Sequence, residues 1–438
     1  MIERNKFYFN IFIAIFWTTT SFGFVADEIL PPLAQARSIV NLLLDFAFLL
    51  LGIFTLKKKS DIIFIVSFLF IAAVSTLYLN HEAPIHFING SRQFLGILFM
   101  IPIARYFLTC YDSDKYRRLI DRQLYIFLWI QAFCITWQFI KYGAGDAGGG
   151  SMGLGASGII STLIYLISFY LITQKWDSSH YLLSLRNNKD LIFLLYPTFL
   201  NETKVSFIFL GIYFLLLYRF EWQTIRKLLI ALPITIVVFT GLFYLYLNLT
   251  NQNKDVVGSS EFYTEYLFGE DPEHLMEVAQ KVQDGEITVD PRDWWVVDIP
   301  RFAKFGFMPM VLSESDGGIL WGAGLGQFKG GTKIDPPKFA IQYEWLLAGS
   351  IPMAFFIMIQ LGIIGLVWFL IFVFWNLNFG KRTFEFAMQL KLFLSAIIGI
   401  VLFYNDSFNS LPLCMVFFYI TVVASSPSAK IQDHNGRQ

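Results

Sequence analysis

The sequence predicts an all-α polytopic membrane protein with about twelve transmembrane helices and one large, partly helical extracytoplasmic loop. The chain of 438 residues is 55% hydrophobic, contains 48 Phe and has a mean hydropathy of +0.55. Only 15% of its residues are charged, whereas soluble domains carry roughly 25%. Apolar runs near the ~20 residues that cross ~30 Å of hydrocarbon recur along the chain, and one polar stretch, residues 248–349, interrupts them.

Twelve apolar runs are predicted spans, with ten or eleven as the lower alternatives. Two short ones, at Leu191 and Val205, could instead form one broken hairpin. The spans divide the chain into helices 1–9 (residues 1–247), the large loop (248–349), helices 10–12 (350–425) and a tail (426–438). The runs begin at Phe7, Ile39, Ile62, Phe94, Leu124, Ser157, Leu191, Val205, Leu228, Ile351, Leu392 and Leu411.

Basic residues are distributed unevenly between the predicted turns. If the N-terminus is cytoplasmic, 20 of the 33 Lys and Arg residues fall in inner segments. The short outer loops hold only four, namely Arg37, Arg92, Lys141 and Lys204. Because cytoplasmic loops are enriched in Lys and Arg, this asymmetry predicts that both termini and the tail are cytoplasmic and that the large loop lies outside.

The large loop is acidic, with 16 acidic and 8 basic residues. A net charge of this sign disfavours nucleic acid as a partner and is compatible with sugars. Its glycine-rich part, residues 316–337, is predicted to form turns and lacks the βαβ context of a dinucleotide site. A second glycine-rich loop, residues 143–155, is predicted to be a mobile rim. The histidines are too scattered to predict a metal site.

Cations at the predicted outer ends of spans are candidate phosphate ligands. Lys204 follows Glu202 and Thr203 where two short spans meet, and Arg92 lies at the top of the fourth span. Each could bind a phosphate, and each could equally be an ordinary turn residue or a snorkelling anchor.

An aromatic segment of the loop, residues 290–315, carries Arg292, Arg301 and Lys304. Arg301 and Lys304 are three residues apart, so in a helix they would share one face. They could hold a pyrophosphate, or they could contact anionic lipids. Within the predicted spans, Asp45 has no cation near it in sequence, and Arg105 is interpreted as a snorkelling anchor.

Three features together resemble the superfamily of O-antigen polymerases and O-antigen ligases. The first is the Glu202-Thr203-Lys204 motif between two short spans. The second is the single large loop, which ends in Leu-Trp-Gly-Ala-Gly-Leu-Gly-Gln-Phe at residues 320–328. The third is Gln-Leu-Gly-Ile-Ile-Gly at residues 360–365, similar to a Gly-Ile-Ile-Gly signature. Lys stands at 204 where Arg is commoner. Residues 338–352 lack the histidine that ligases carry there, which favours a polymerase.

The resemblance implies a polymerase of polyprenyl-pyrophosphate-linked oligosaccharide repeat units at the outer face of the cytoplasmic (inner) membrane. The product would be O-antigen, capsule or exopolysaccharide. Its expected partners are the lipid-linked oligosaccharide and the bilayer, with a flippase and a chain-length regulator of the same pathway. The substrate already carries its pyrophosphate leaving group, so neither a cofactor nor a metal is expected.

This chemistry needs cations for the departing pyrophosphate and a base for the attacking hydroxyl. The base is expected to be Glu344, the last charged residue before the post-loop span, or else Asp316. A ligase-type transferase remains an alternative, as does a flippase or other transporter, although transporters more often show two similar halves and polar residues deep in several spans. The expected pyrophosphate ligands are Arg92, Lys204, Arg292, Arg301 and Lys304.

Overall fold

The fold is built from helices. The computed structural model describes residues 2–110, 112–143, 148–177, 180–201, 205–217, 299–328, 335–347, 349, 351–380 and 386–425, and no strand occurs within these ranges. The helices are α1 Ile2–Phe24, α2 Arg37–Thr55, α3 Lys59–Ala73, α4 Pro84–Ser91, α5 Leu95–Thr109, α6 Ser113–Tyr142, α7 Ser157–Thr173, α8 Tyr181–Asn187, α9 Lys189–Phe193, α10 Pro197–Leu200, α11 Val205–Leu217, α12 Arg301–Ser313, α13 Gly318–Trp321, α14 Lys338–Gln342, α15 Glu344–Leu347, α16 Met353–Leu377, α17 Ala387–Tyr404 and α18 Leu411–Ser425.

Seven helical segments are long and apolar enough to cross a membrane: Glu3–Ile29, Pro31–Thr55, Lys59–Leu79, Pro84–Thr109, Ser113–Tyr142, Met353–Leu377 and Ala387–Tyr404. Three shorter apolar helices, α7, α11 and α18, accompany them. The predicted class, an α-helical multi-pass membrane protein, is consistent with these helices. The count of twelve spans stays a prediction, because residues 218–298, with the run at Leu228 and most of the large loop, lie outside the described residues.

Three helices form the centre of the bundle. Nearly all side chains of α5, α7 and α18 are buried. By contrast, α2 buries Phe48 and Leu51 and exposes Leu43 and Phe46. A surface of large apolar side chains around a packed centre is what contact with lipid hydrocarbon favours.

The turns collect at two ends of the bundle. The loop end holds the turns after α1, α3, α6 and α17 together with α12–α15; there Lys141 Nζ lies 2.7 Å from Glu28 Oε2. The basic end holds the turns after α2, α5, α7 and α16; there Lys391 Nζ donates to the Asn378 carbonyl over 2.7 Å. The assignment of these two ends to the outer and inner sides of a membrane stays a prediction.

Arg105 does not act as an isolated anchor at the basic end. Its guanidinium pairs with Asp61 of α3 and donates to Asn376 Oδ1 of α16 over 2.6 Å. A charge within a membrane span is costly unless it is paired. The group therefore ties α3, α5 and α16 together where the three helices meet.

Candidate functional site

A glycine-rich segment of the large loop is inserted between helices at the loop end. Residues 317–328, here called the docked segment, run between the end of α3 and the first half of α16. The Ala323 amide donates to the Ile359 carbonyl over 2.7 Å, and the Gly324 amide donates to the Gln360 carbonyl over 3.1 Å. Two loop amides are thus bonded to the backbone of a membrane-spanning helix.

These carbonyls are available because α16 is broken. Gly362 has φ +63° and ψ −165°, a non-helical conformation inside the helix. The break lies nine residues after Met353, or about 13 Å along the axis at 1.5 Å per residue. Within a membrane, backbone groups released by such a break must find partners in the protein, and the docked segment supplies them.

The end of α3 closes the other side of the docked segment. Ser75 Oγ lies 2.6 Å from the Trp321 carbonyl and 3.0 Å from the Gln360 carbonyl. Asn80 Nδ2 donates to the Gly322 carbonyl over 2.9 Å. The π-helical turn Val74–Leu79, which places Ser75 here, departs from regular α-helix as functional sites often do.

Glycine is required on both sides of this contact. Gly322 has φ +74°, and a methyl group on it would lie 2.6 Å from the Gly362 nitrogen. A methyl group on Gly362 would in turn overlap the Leu320 carbonyl. Residues 320–328 and 360–365, two separate motifs of the resemblance, therefore form one hydrogen-bonded unit.

Arg92, a predicted pyrophosphate ligand, lies just after α4 at the loop end. Its Nε and Nη2 donate to Asp45 Oδ2 over 3.0 and 2.7 Å, and its Nη1 lies 3.4 Å from Asn89 Oδ1. The Arg92 side chain is 26% exposed and that of Asp45 is 20% exposed. Asp45 is thus paired with a cation that lies 47 residues away in sequence. The ion pair fixes the position of the Arg92 guanidinium, and part of the Arg92 side chain stays accessible.

Arg301 and Lys304 both lie in α12 against the turn that follows α17. The Arg301 guanidinium carbon lies 4.4 Å from the centre of the Tyr404 ring, a cation–π arrangement. Lys304 is completely buried and its charge acts on Asp406. Burial raises the pKa of Asp406 above its ordinary value, and the nearby Lys304 opposes that rise. Lys304 is therefore a buried charge close to a carboxyl group, and Arg301 is the more accessible of the two cations.

Lys204 and Arg292 lie outside the described residues. Asn201, just before the Lys204 motif, is buried, and its Nδ2 donates to Ser161 Oγ over 2.8 Å at the start of α7. Gly158 in the same turn of α7 faces Asn405, since a methyl group on it would lie 3.3 Å from Asn405 Nδ2. The start of α7 thus lies between the end of α10 and the turn that meets α12.

Both predicted bases are exposed at the loop end. Asp316 lies in the turn between α12 and the docked segment, and Glu344 is the first residue of α15. Glu314, the residue after α12, accepts hydrogen bonds from the Tyr343 hydroxyl and, over 2.9 Å, from Gln342 Nε2. The end of α12 is thereby joined to the segment that carries Glu344.

A carboxylate and an imidazole that the sequence analysis did not select lie beside the docked segment. Glu82 Oε2 is 3.8 Å from His86 Nε2, and their side chains are 14% and 12% exposed. A methyl group on Gly326 would lie 3.0 Å from the His86 carbonyl oxygen, so the start of α4 touches the segment. The signal in the sequence was the four-residue spacing of an acid and a histidine across the start of α4.

The chain matches no family model, no curated protein and no solved structure in the comparisons made.

Proposed function

We propose that this chain polymerises polyprenyl-pyrophosphate-linked oligosaccharide repeat units at the outer face of the cytoplasmic membrane. One observation carries the proposal: residues 320–328 and 360–365, which lie apart in sequence and both contribute to the resemblance, form one hydrogen-bonded unit at the loop end. The proposal places the loop end outside, both termini inside and about twelve spans between them. O-antigen, capsule or exopolysaccharide would be the product.

The reaction joins a sugar hydroxyl of one repeat unit to the anomeric carbon of another. The new carbon–oxygen bond forms as the bond to the pyrophosphate oxygen breaks, and the pyrophosphate leaves with the electron pair. Cations that meet this developing charge lower the barrier. Arg92 and Arg301, both partly accessible at the loop end, support this role. The proposal also assigns it to Lys304, which is buried near Asp406, and to Lys204 and Arg292.

The attacking hydroxyl must also lose a proton. Glu344 and Asp316 are exposed carboxylates at the same end as the cations, and either is a base under this proposal. The energy lies in the substrate, so the reaction needs neither a cofactor nor a resident metal. The partners are the lipid-linked oligosaccharide and the bilayer, with a flippase and a chain-length regulator in the same pathway.

Purified protein in lipid nanodiscs, supplied with lipid-linked repeat units, tests the proposal through the length of the product. Wild-type protein should yield a ladder of oligomers. Loss of one partner of a charge-assisted contact costs ~2–5 kcal/mol, so Arg92→Ala and Arg301→Ala should each lower the rate about 30-fold or more. Arg37→Ala is the matched control, because Arg37 forms an ion pair with Asp27 at the same end. A full ladder from both site variants would contradict the assigned role.

A lipid-linked oligosaccharide transporter is the second candidate, favoured by two specific observations. Broken membrane helices and paired charges within spans are typical of transporters, and α16 is broken at Gly362 while Asp45 and Asp61 pair with Arg92 and Arg105. Proteoliposomes separate the two functions. Translocation of labelled single units without chain growth would support the transporter.

A further inference from the structure

Glu82 and His86 form a partly enclosed acid–imidazole pair at the loop end. Besides the 3.8 Å between Glu82 Oε2 and His86 Nε2, the backbone fixes both residues. The Glu82 amide donates to the Thr76 carbonyl over 2.9 Å, and Thr76 Oγ1 accepts a hydrogen bond from the Leu325 amide over 2.9 Å. The pair is thus attached to the docked segment.

The charged surroundings of the pair come from two elements. Glu82 lies on the turn between α3 and α4, and Lys338 approaches it from the start of α14. Burial raises the pKa of Glu82, while His86 and Lys338 act to lower it. The adjoining residues 322–328 of the docked segment carry no ionisable side chain. Burial is the larger effect, and His86 and Lys338 oppose it by favouring the charged form of this carboxyl group.

His86 lies in α4, and Arg92 follows the last residue of that helix. Six residues of helix turn through about 240°, so the two side chains leave the helix on different faces. His86 faces Glu82 and the docked segment, whereas Arg92 faces Asp45. In an in-line displacement the attacking hydroxyl and the leaving group lie on opposite sides of the reacting carbon, so the two groups would act on different sides of a bound sugar.

We infer that His86 is the proton acceptor for the attacking sugar hydroxyl and that Glu82 positions and stabilises its imidazole. This inference rests on the proposed function and gives to His86 the proton transfer for which Glu344 and Asp316 were the alternatives. Glu82 Oε2 lies 3.8 Å from His86 Nε2, beyond hydrogen-bond distance, so Glu82 acts on the imidazole through its charge, and Nδ1, the nitrogen away from the carboxylate, is assigned to accept the hydroxyl proton. As that proton moves to Nδ1, the oxygen bonds to the anomeric carbon and the pyrophosphate departs towards Arg92. The imidazolium, next to the Glu82 carboxylate, then releases its proton to water.

The test uses purified full-length variants in nanodiscs with lipid-linked repeat units. Loss of a general base costs ~10²–10⁴-fold, so His86→Gln should lower kcat at least about 100-fold with little change in KM. Added imidazole should partly restore the rate of His86→Ala. His81→Asn, at an exposed histidine five residues away, is the matched control and should retain the wild-type rate. A loss of that size in Glu344→Gln together with a full rate from His86→Gln would assign the proton transfer to Glu344 and overturn the inference.

Glu82→Gln tests the positioning role through kcat and KM. Without the carboxylate beside it the imidazole is less well placed, so kcat should fall while KM changes little, and Glu82→Asp should restore most of kcat. If His86→Gln does not fold, this split between kcat and KM decides the inference. A full rate from His86→Gln, or an unchanged kcat in Glu82→Gln, overturns it. If wild-type protein makes no ladder, the proposed function itself fails, which is a distinct result.

Discussion

Two glycine-rich segments enter the bundle from the loop end, and different parts of their host helices hold them. Residues 148–156 are bonded by side chains of the unbroken α6: the Gly150 amide donates to Gln138 Oε1 over 2.7 Å, and Gln138 Nε2 donates to the Gly150 carbonyl over 3.1 Å. The docked segment, residues 317–328, is bonded instead by backbone carbonyls of the broken α16.

The two attachments differ in whether the helix that holds the segment must be broken. A glutamine side chain can form hydrogen bonds with an inserted loop while the helix that carries it stays regular. The backbone conformation of α6 therefore does not depend on residues 148–156. A backbone attachment requires the helix to open, so the docked segment and the break at Gly362 depend on each other. We therefore expect changes at the first segment to affect stability, and changes at the second to affect activity as well.

The largest effect is expected from Gly362→Ala. The backbone conformation of Gly362 (φ +63°, ψ −165°) is adopted almost only by glycine and costs alanine ~1–3 kcal/mol, and the overlap with the Leu320 carbonyl adds ~1–3 kcal/mol. The variant should lose about 2–6 kcal/mol of stability and make no polymer. Thermal unfolding in detergent and product length measure the two losses. Gly399→Ala, where a methyl group meets no atom within 4 Å, should behave as wild type.

Effects of intermediate size are expected from two variants, one at each of the two attachments. Gln138→Leu leaves the Gly150 amide and carbonyl buried without their partner, at ~1–3 kcal/mol for each group, and should keep most of the activity. Ser75→Ala removes one hydrogen bond of ~1 kcal/mol and should still lower the polymerisation rate about 10- to 100-fold, because misplaced groups near a reacting centre are costly. If the folded Gln138 variant loses activity and the Ser75 variant keeps it, the comparison is wrong.

The smallest effect concerns the pH dependence of stability at Glu82. Its pKa in the folded protein is raised, so the folded state holds this proton more tightly than the unfolded state does. The resulting stability is fully present below the ordinary pKa of 4.5 and is lost as pH rises through the higher folded pKa. Glu82→Gln lacks this loss, so its midpoint of thermal unfolding should rise relative to wild type between pH 4 and pH 8. A difference that falls with pH would contradict this sign.

The fold class could be predicted from the sequence because lipid requires long apolar runs. The runs beginning at Ile39, Ile62, Ser157, Ile351 and Leu411 all correspond to apolar helices of the structure. The break in α16 could not be predicted, since Gly362 lies in an apolar run that looks like a continuous helix. The count of twelve spans remains a prediction.

The candidate site was less predictable because its contacts are between distant parts of the chain. Asp45 and Arg92 are far apart in sequence, and the docked segment meets Ser75, in the turn that follows α3, more than 240 positions before it. The glycine-rich residues 143–155 are predicted to be a mobile rim, yet the glycines at 148, 149, 150 and 153 are buried, and Gly150 is hydrogen-bonded to Gln138 of α6. The spacing of Glu82 and His86 and that of Arg301 and Lys304 were readable locally.

Glycan length in cells that lack this gene tests the central claim most directly. The account predicts that single repeat units remain on the lipid carrier or the core at the outer face, and that the restored gene rebuilds long chains whereas Gly362→Ala does not. Repeat units stranded on the cytoplasmic side would indicate a transporter instead. Long polymer accumulating on the carrier would indicate a ligase, and either result would contradict the account.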